Sequence, residues 1–306
     1  MKIAIIGRTE TLYESAKKLA SAGHNVCLII TSKAAPEYSK NENDFEELAH
    51  EFGCTFLKGS KIDSFKKQIL KEKPDLGISM NYTGIIPQEI IDLFSHGILN
   101  AHGGDLPKYR GNACQAWAII NGEEKIGLCI HQMVGGELDS GDILAREYIE
   151  IKNTTKIAEI FDWMNGMVPQ MFLKVVNEIK QDPNFILEKQ SKNLNDALRC
   201  YPRNPEDGRI DWTRTREEIQ RLINASGQPF EGAFCFIDEQ KIHIYDCEIY
   251  DDGEVYSAIP GQILKIEEKK LTVATGNGKL MISDIYSDNT RIKMSDFFRS
   301  VRQRLN

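Results

Sequence analysis

Long apolar runs are missing from this chain, and even the stretch from Val26 to Ile30 is interrupted within a few residues. A bilayer-spanning helix, which needs about 20 such residues, is therefore excluded. Positive charge is scarce as well. With 38 Lys and Arg against 45 Asp and Glu, the formal charge of −7 argues against sequence-independent nucleic-acid binding, which needs a basic face to neutralise phosphates. The cysteines at 27, 54, 114, 129, 200, 235 and 247 form neither a CxxC pair nor a dense framework, so they read as reduced thiols of a cytoplasmic protein. The opening Met-Lys-Ile-Ala-Ile-Ile-Gly7 lacks the long apolar core of an export signal and reads as a first strand. Gly7 has no second and third glycine after it, which argues against a dinucleotide pyrophosphate at that turn.

What is present suits a globular protein of two domains, since 306 residues at 41% apolar content can bury a sizeable core. Apolar residues to Gly7, helical spacing over Glu10 to Ala22 and a renewed apolar run over Val26 to Thr31 give strand, helix, strand. Such an order predicts a parallel sheet with right-handed crossovers. The alternation continues to a strand over Gly97 to Ala101, and a hairpin of residues 126 to 133 and Ile143 to Ile151 follows. The expected fold class is α/β, a doubly wound, mostly parallel, Rossmann-like domain over residues 1–200. Beyond the polar stretch closed by Pro202 and Pro205, short strands with Asp-Gly and Gly-Asn-Gly turns predict a smaller β-barrel, OB-like, over 201–306. The basic tail from Arg299 to Arg304 reads as a solvated helix end.

Two polar clusters carry the chemistry: Asn100-Ala-His102-Gly-Gly104-Asp105-Leu-Pro107-Lys-Tyr109-Arg110-Gly111, and Gly136-Glu-Leu138-Asp139-Ser-Gly141-Asp142. An amide donates to a developing oxyanion, an imidazole manages a proton near neutral pH, and a carboxylate fixes the imidazole's tautomer. With no serine or cysteine nucleophile in an elbow beside His102, that set describes acyl transfer in which the attacking group belongs to the substrate. The pair at Asn100 and His102 falls at the carboxyl end of a strand, where open α/β sheets place ligand crevices. His131 alternates with Cys129 and Met133 and reads as a packed, hydrogen-bonded histidine near the pocket rather than a direct participant. A metal held by His102, His131 and Asp139 is the competing reading, although the spacing matches no zinc motif. Trp117, at helical spacing with Ala113 and Ile120, reads as core.

The order Asn-x-His, Leu-Pro-x-Tyr-Arg-Gly, Trp117, Asn121-Gly122-Glu123, Gly127-x-x-x-His131-x-Met133 and Leu138-Asp139-x-Gly141-Asp142-Ile143 resembles the 10-formyltetrahydrofolate-dependent formyltransferases. The likeness continues through Arg203-Asn-Pro-Glu-Asp-Gly-Arg-Ile-Asp-Trp212 and is nearest to the sugar-nucleotide N-formyltransferases. It implies that Asn100, His102 and Asp139 are the catalytic trio. It also implies a folate co-substrate, 10-formyltetrahydrofolate, between the loop of Met80, Asn81, Tyr82, Ile85 and Ile86 and that of Val134, Gly135, Gly136 and Leu138, with no metal. Glycines at 135 and 136 would let backbone amides approach the pterin edge.

The acceptor, a nucleotide-linked amino sugar, is expected against Gly104, Asp105, Tyr109, Arg110, Gly111 and Asn112, with Arg110 or Arg203 available for a phosphate. The chain departs from the family pattern at three places. Gly104-Asp105 replaces the common Ser-Leu, Cys114 a common proline, and Thr83 an arginine of the arabinose-modifying relatives. Asp105 could hold a sugar ammonium or simply sit in a loop. Methionyl-tRNA is the alternative acceptor. Between Lys33 and Glu51, however, Lys33 and Lys40 face Glu37, Glu42, Asp44, Glu46, Glu47 and Glu51, which disfavours a nucleic-acid partner. No membrane partner is expected, and the family likeness allows a homodimer.

Overall fold

A computed structural model describes all residues from Met1 to Asn306. It divides into two compact units, the first of residues 1–111, 126–149 and 161–200, the second of 112–125, 150–160 and 201–306. Two segments, 112–125 and 150–160, thus group with the chain beyond residue 200.

In the first unit, β1 (Lys2–Gly7), β2 (Asn25–Thr31), β3 (Thr55–Lys58), β4 (Leu76–Met80), β5 (Ile98–His102), β7 (Lys125–Gln132) and β8 (Ile143–Glu150) form one sheet, ordered β3-β2-β1-β4-β5-β7-β8. Pairing is parallel from β3 to β5, and β7 runs antiparallel to β5. A short parallel ladder joins β6 (Arg110–Gly111) to β9 (Arg199–Cys200). The inner strands β1, β2, β4, β5 and β7 are mostly buried and rich in Ile and Leu, as strands covered on both faces require, whereas the edge strands β3 and β8 keep exposed positions. Helix α1 (Glu10–Ser21) starts where Thr9 caps the Leu12 N–H at 3.1 Å, and it buries Leu12, Ala16 and Leu19. Helix α2 (Glu42–Phe52) opens on a capping box of Asn41 and Asp44 and ends on left-handed Gly53.

Gly7 owes its identity to packing rather than to phosphate: φ is 144°, and a side chain there would run into the Met80 carbonyl of β4. The order turns back on itself between β1 and β4, the kind of point at whose carboxyl ends open α/β sheets place ligands, and Asn100 and His102 stand at that end of β5. The loop of residues 133–142 joins β7 to β8 and carries Asp139.

In the second unit, β10 (Ala233–Ile237), β11 (Gln240–Tyr250), β12 (Ile263–Ile266), β13 (Leu271–Ala274) and β14 (Lys279–Ser287) pair antiparallel in the order β10-β11-β14-β13-β12. Their inner faces bury Ile242, Ile244, Val273, Leu280 and Ile282 with Trp212, and with Ile219 and Ile223 of the helix Arg216–Ser226. The expected closed barrel needs correction. The strand ladder is open between β10 and β12, and those edges share the terminal segment, where Leu305 bridges Ile237 and Arg304 bridges Gln262. Of the basic tail, Arg304 thus lies on a sheet edge, while Arg299 and Arg302 stay exposed beyond the short helix of Met294–Phe297. None of the seven cysteines is disulfide-bonded, and no helix is long and apolar enough to cross a membrane.

Candidate active site

Asn100 and His102 lie two residues apart on β5 and so share one face of the sheet. The antiparallel register sets His131 opposite Asn100 and Cys129 opposite His102, which brings all four side chains to that face. Asp139 arrives over the β7–β8 loop with a left-handed φ of 47°. Its Oδ2 accepts the Gly111 N–H at 2.9 Å and lies 3.6 Å from His102 Nδ1, while its Oδ1 lies 3.4 Å from His131 Nε2. Asn100 Nδ2 is 3.2 Å from the same His131 nitrogen. Of the three residues expected to act together, His102 and Asp139 meet directly, and Asn100 is linked to Asp139 through His131.

Backbone carbonyls settle the ring protons. His102 Nε2 is 2.6 Å from the Tyr109 carbonyl, which can only accept, so Nε2 carries hydrogen and Nδ1 faces Asp139. Tyr109 holds that carbonyl in place from a left-handed φ of 56°. A side chain on Gly104 would meet both the Tyr109 carbonyl and His102 Nε2, which accounts for glycine there.

Burial pushes the Asp139 carboxyl up, but the His102 and His131 imidazoles and the Gly111 N–H outweigh it and hold the group well below the ordinary carboxylate range. A depressed folded-state value means stability that is fully present above the unfolded value of about 3.9 and lost as pH falls further. Asp139→Asn is thus expected to melt below the wild type at pH 7, with the gap narrowing steadily as pH falls below about 4. Thermal melts across that range check it, and a gap independent of pH would contradict it. Burial also pushes the Cys129 thiol up to about 11, so it packs as an un-ionised side chain.

The flanking loops are placed as follows. Met80 and Ile86 are buried, whereas Asn81 is exposed and Ile85 is 84% exposed. Tyr82 donates its hydroxyl to the Gly59 carbonyl at 2.7 Å. On the other loop Leu138 is 38% exposed and Val134 half-buried. Gly135 departs from expectation: its N–H donates to Gln88 Oε1 at 2.8 Å, and a side chain there would collide with the Gln88 backbone. That amide is spent inside the protein, and Gly136, left-handed at φ 78° with open space around it, is the one left facing outward.

Among the acceptor-side residues, Asp105 is no bare loop carboxylate. It pairs with Arg146 and accepts the Tyr148 hydroxyl at 2.8 Å, while Arg146 also donates to the Leu106 carbonyl at 2.7 Å and pairs with Glu188 at 3.1 Å. Arg110 donates through Nε to Gln190 Oε1 at 2.9 Å and through Nη2 to the Ser191 carbonyl at 3.3 Å, neutral partners that leave its charge uncompensated by them. Asn112 and Arg203 belong to the second unit. There Asn112 is exposed, and Arg203 lies 6.0 Å over the Trp117 ring, its Nη2 on Ser226 Oγ at 3.1 Å and on the Asp207 carbonyl at 3.2 Å. Its Nε is buried without a partner, and burial lowers its pKa. Trp117 is half-buried, with Nε1 donating to the Tyr201 carbonyl at 2.9 Å, so it is not the core residue its spacing suggested.

Sequence reasoning missed Gln190. It is 3% exposed, donates to the Gly141 carbonyl at 2.7 Å and steadies Arg110 from an irregular stretch without periodicity. No group of three or more His, Cys, Asp or Glu side chains is arranged to hold a metal ion.

This arrangement falls within a known class. Residues 1–176 match the formyl transferase family and residues 203–302 match the formyl transferase C-terminal domain; the chain belongs to this family, whose members are transferases of a formyl group. It is 31% identical over 307 residues to the methionyl-tRNA formyltransferase of Ruminiclostridium cellulolyticum, across 98% of this chain and 96% of that protein. In fold it is similar to the N-formyltransferase from Helicobacter canadensis, crystallised with folinic acid and dTDP-3-aminofucose, with a TM-score of 0.69, 18% identity and coverage of 94% and 100%. It is also similar to HypX from Aquifex aeolicus in complex with tetrahydrofolic acid, with a TM-score of 0.63 and 17% identity over 98% of this chain. The chain spans 47% of that HypX chain, about half its length.

Proposed function

We propose that the protein transfers the formyl group of 10-formyltetrahydrofolate to the amine of a nucleotide-linked amino sugar, without a metal, through Asn100, His102 and Asp139. The observation that carries the reading is their convergence: an amide and an imidazole on one sheet face, and a carboxylate 3.6 Å from the imidazole. The loops beside them suit a flat folate ring, because Ile85 and Leu138 expose apolar surface on either loop. Bound there, the folate supplies an activated one-carbon unit.

The chain's own groups do the rest. The Asn100 amide donates to the formyl oxygen, where negative charge gathers as the amine attacks, and the His102 ring, when it carries a second proton, adds its positive charge nearby. Asp139 keeps the His102 ring oriented, and the pair helps carry the proton from the attacking amine toward the leaving nitrogen, with the imidazole as the group that takes it up. Holding both substrates supplies much of the remaining acceleration. In the same reading, residues 1–200 form a doubly wound, Rossmann-like catalytic domain of a cytoplasmic enzyme, and 201–306 an OB-like appendage.

The acceptor follows from charge. Of the two lysines between residues 33 and 51, Lys40 is paired with Asp44 at 3.0 Å, while Glu42 also engages Lys58 at 3.3 Å, so the segment presents acid to any partner. A second reading, formylation of methionyl-tRNA, is favoured by the near full-length identity to a methionyl-tRNA formyltransferase. The test is a panel: 10-formyltetrahydrofolate with dTDP-, UDP- and GDP-linked 3-amino and 4-amino sugars and with methionyl initiator tRNA, following folate release by absorbance. Turnover with one sugar class and none with tRNA is expected. Turnover with tRNA alone would replace the sugar by the second reading.

A further inference from the structure

Packing alone does not describe His131. It is 2% exposed, and its ring nitrogens meet a backbone carbonyl on one side and the Asn100 amide on the other. Its Nδ1 lies 2.8 Å from the Gln132 carbonyl. That oxygen can only accept, so Nδ1 carries the hydrogen, and in the neutral ring Nε2 offers a lone pair. Asn100 Nδ2, directly opposite across the β5–β7 ladder and 3.2 Å away, is the donor that meets it. The polarity of the Asn100 amide is thereby decided. Its nitrogen must face His131, because its oxygen and the Nε2 lone pair would repel.

We propose that His131 is a positioning residue for formyl transfer: it takes one hydrogen of the Asn100 amide, so that the second is aimed at the formyl oxygen. The inference rests on the function proposed above and adds to it a residue that acts through Asn100. An asparagine without this partner would be free to turn its amide over, and an oxygen in place of the N–H would repel the charge it should stabilise. Nε2 also lies 3.4 Å from Asp139 Oδ1: with a proton there the ring donates to Asp139 and helps hold that carboxyl low, and without it the ring accepts from Asn100, so the donor is set when the ring is neutral.

The test compares wild type, Asn100→Ala, His131→Leu, His131→Met and His131→Gln, using 10-formyltetrahydrofolate and whichever acceptor of the panel is turned over. Glutamine places an acceptor oxygen near where Nε2 stood, whereas leucine and methionine fill similar space without a comparable one. His131→Leu and His131→Met are expected to lose about 10- to 100-fold in kcat, part of the ~100- to 1000-fold that deleting an oxyanion donor costs, with KM for both substrates within about twofold. His131→Gln is expected to recover kcat to within about fivefold of wild type.

Melting curves identify any variant that fails to fold, and the methionine form then stands in for the leucine form. Wild-type kcat in the folded Leu or Met variant, or a Gln variant as slow as these, would overturn the role of His131. An active Asn100→Ala would instead overturn the reading of the site itself.

Discussion

Asn100→Ala is expected to lower kcat by about 100- to 1000-fold while leaving the melting temperature near that of the wild type. The donor it removes works only once charge has built up on the formyl oxygen, so the loss should fall on kcat and leave the KM values nearly unchanged. Asn100 is half-buried, and the groups around it keep other partners: His131 Nδ1 retains the Gln132 carbonyl, and Asp139 retains the Gly111 N–H. Truncation therefore costs the fold little beyond the one hydrogen bond that His131 Nε2 loses. Steady-state kinetics beside a thermal melt would show this, and a variant with full kcat would remove the amide from the chemistry.

His102→Ala is expected to cost about 1000-fold in kcat, within the range of ~100- to 10,000-fold for a general acid–base group. A second effect should accompany it, because the ring also helps keep the buried Asp139 carboxyl below its ordinary range. Without the ring that carboxyl takes up a proton more readily, so part of the stability present at pH 7 should be lost as well. A melt lower than that of Asn100→Ala, together with the larger kinetic loss, is the joint result to look for. A His102→Ala protein as active as wild type would sink the trio.

Much of this site was legible in the sequence because it is written in strand periodicity. Asn100 and His102 differ by two positions before a Gly-Gly turn, which fixes them to one face at a strand end, and Asp139 sits in the turn of the following hairpin. His131 was not legible in the same way. Only the register of β5 against β7 puts it opposite Asn100, and a slip of one residue would turn it to the other face.

Gln190 lies 80 residues from Arg110 in a segment without periodicity, so nothing local announces their contact. The glycine at 135 was recognisable as a place of close approach, but which atoms approach it depends on Gln88, brought in by the start of another helix. In the second unit the short strands and turns were readable, yet the open edge was not, because Leu305 and Arg304 reach it from the end of the chain.

The account stands on direct passage of the formyl group between two substrate nitrogens, with no stop on the protein. Rapid-quench single turnover with 10-[13C]formyltetrahydrofolate, read by intact-protein mass and by carbon NMR of the small-molecule fraction, tests that most directly. The label should appear on the sugar amine at the rate of folate release while the protein mass stays unchanged at every time point. Label gathering on the protein before product forms would contradict it.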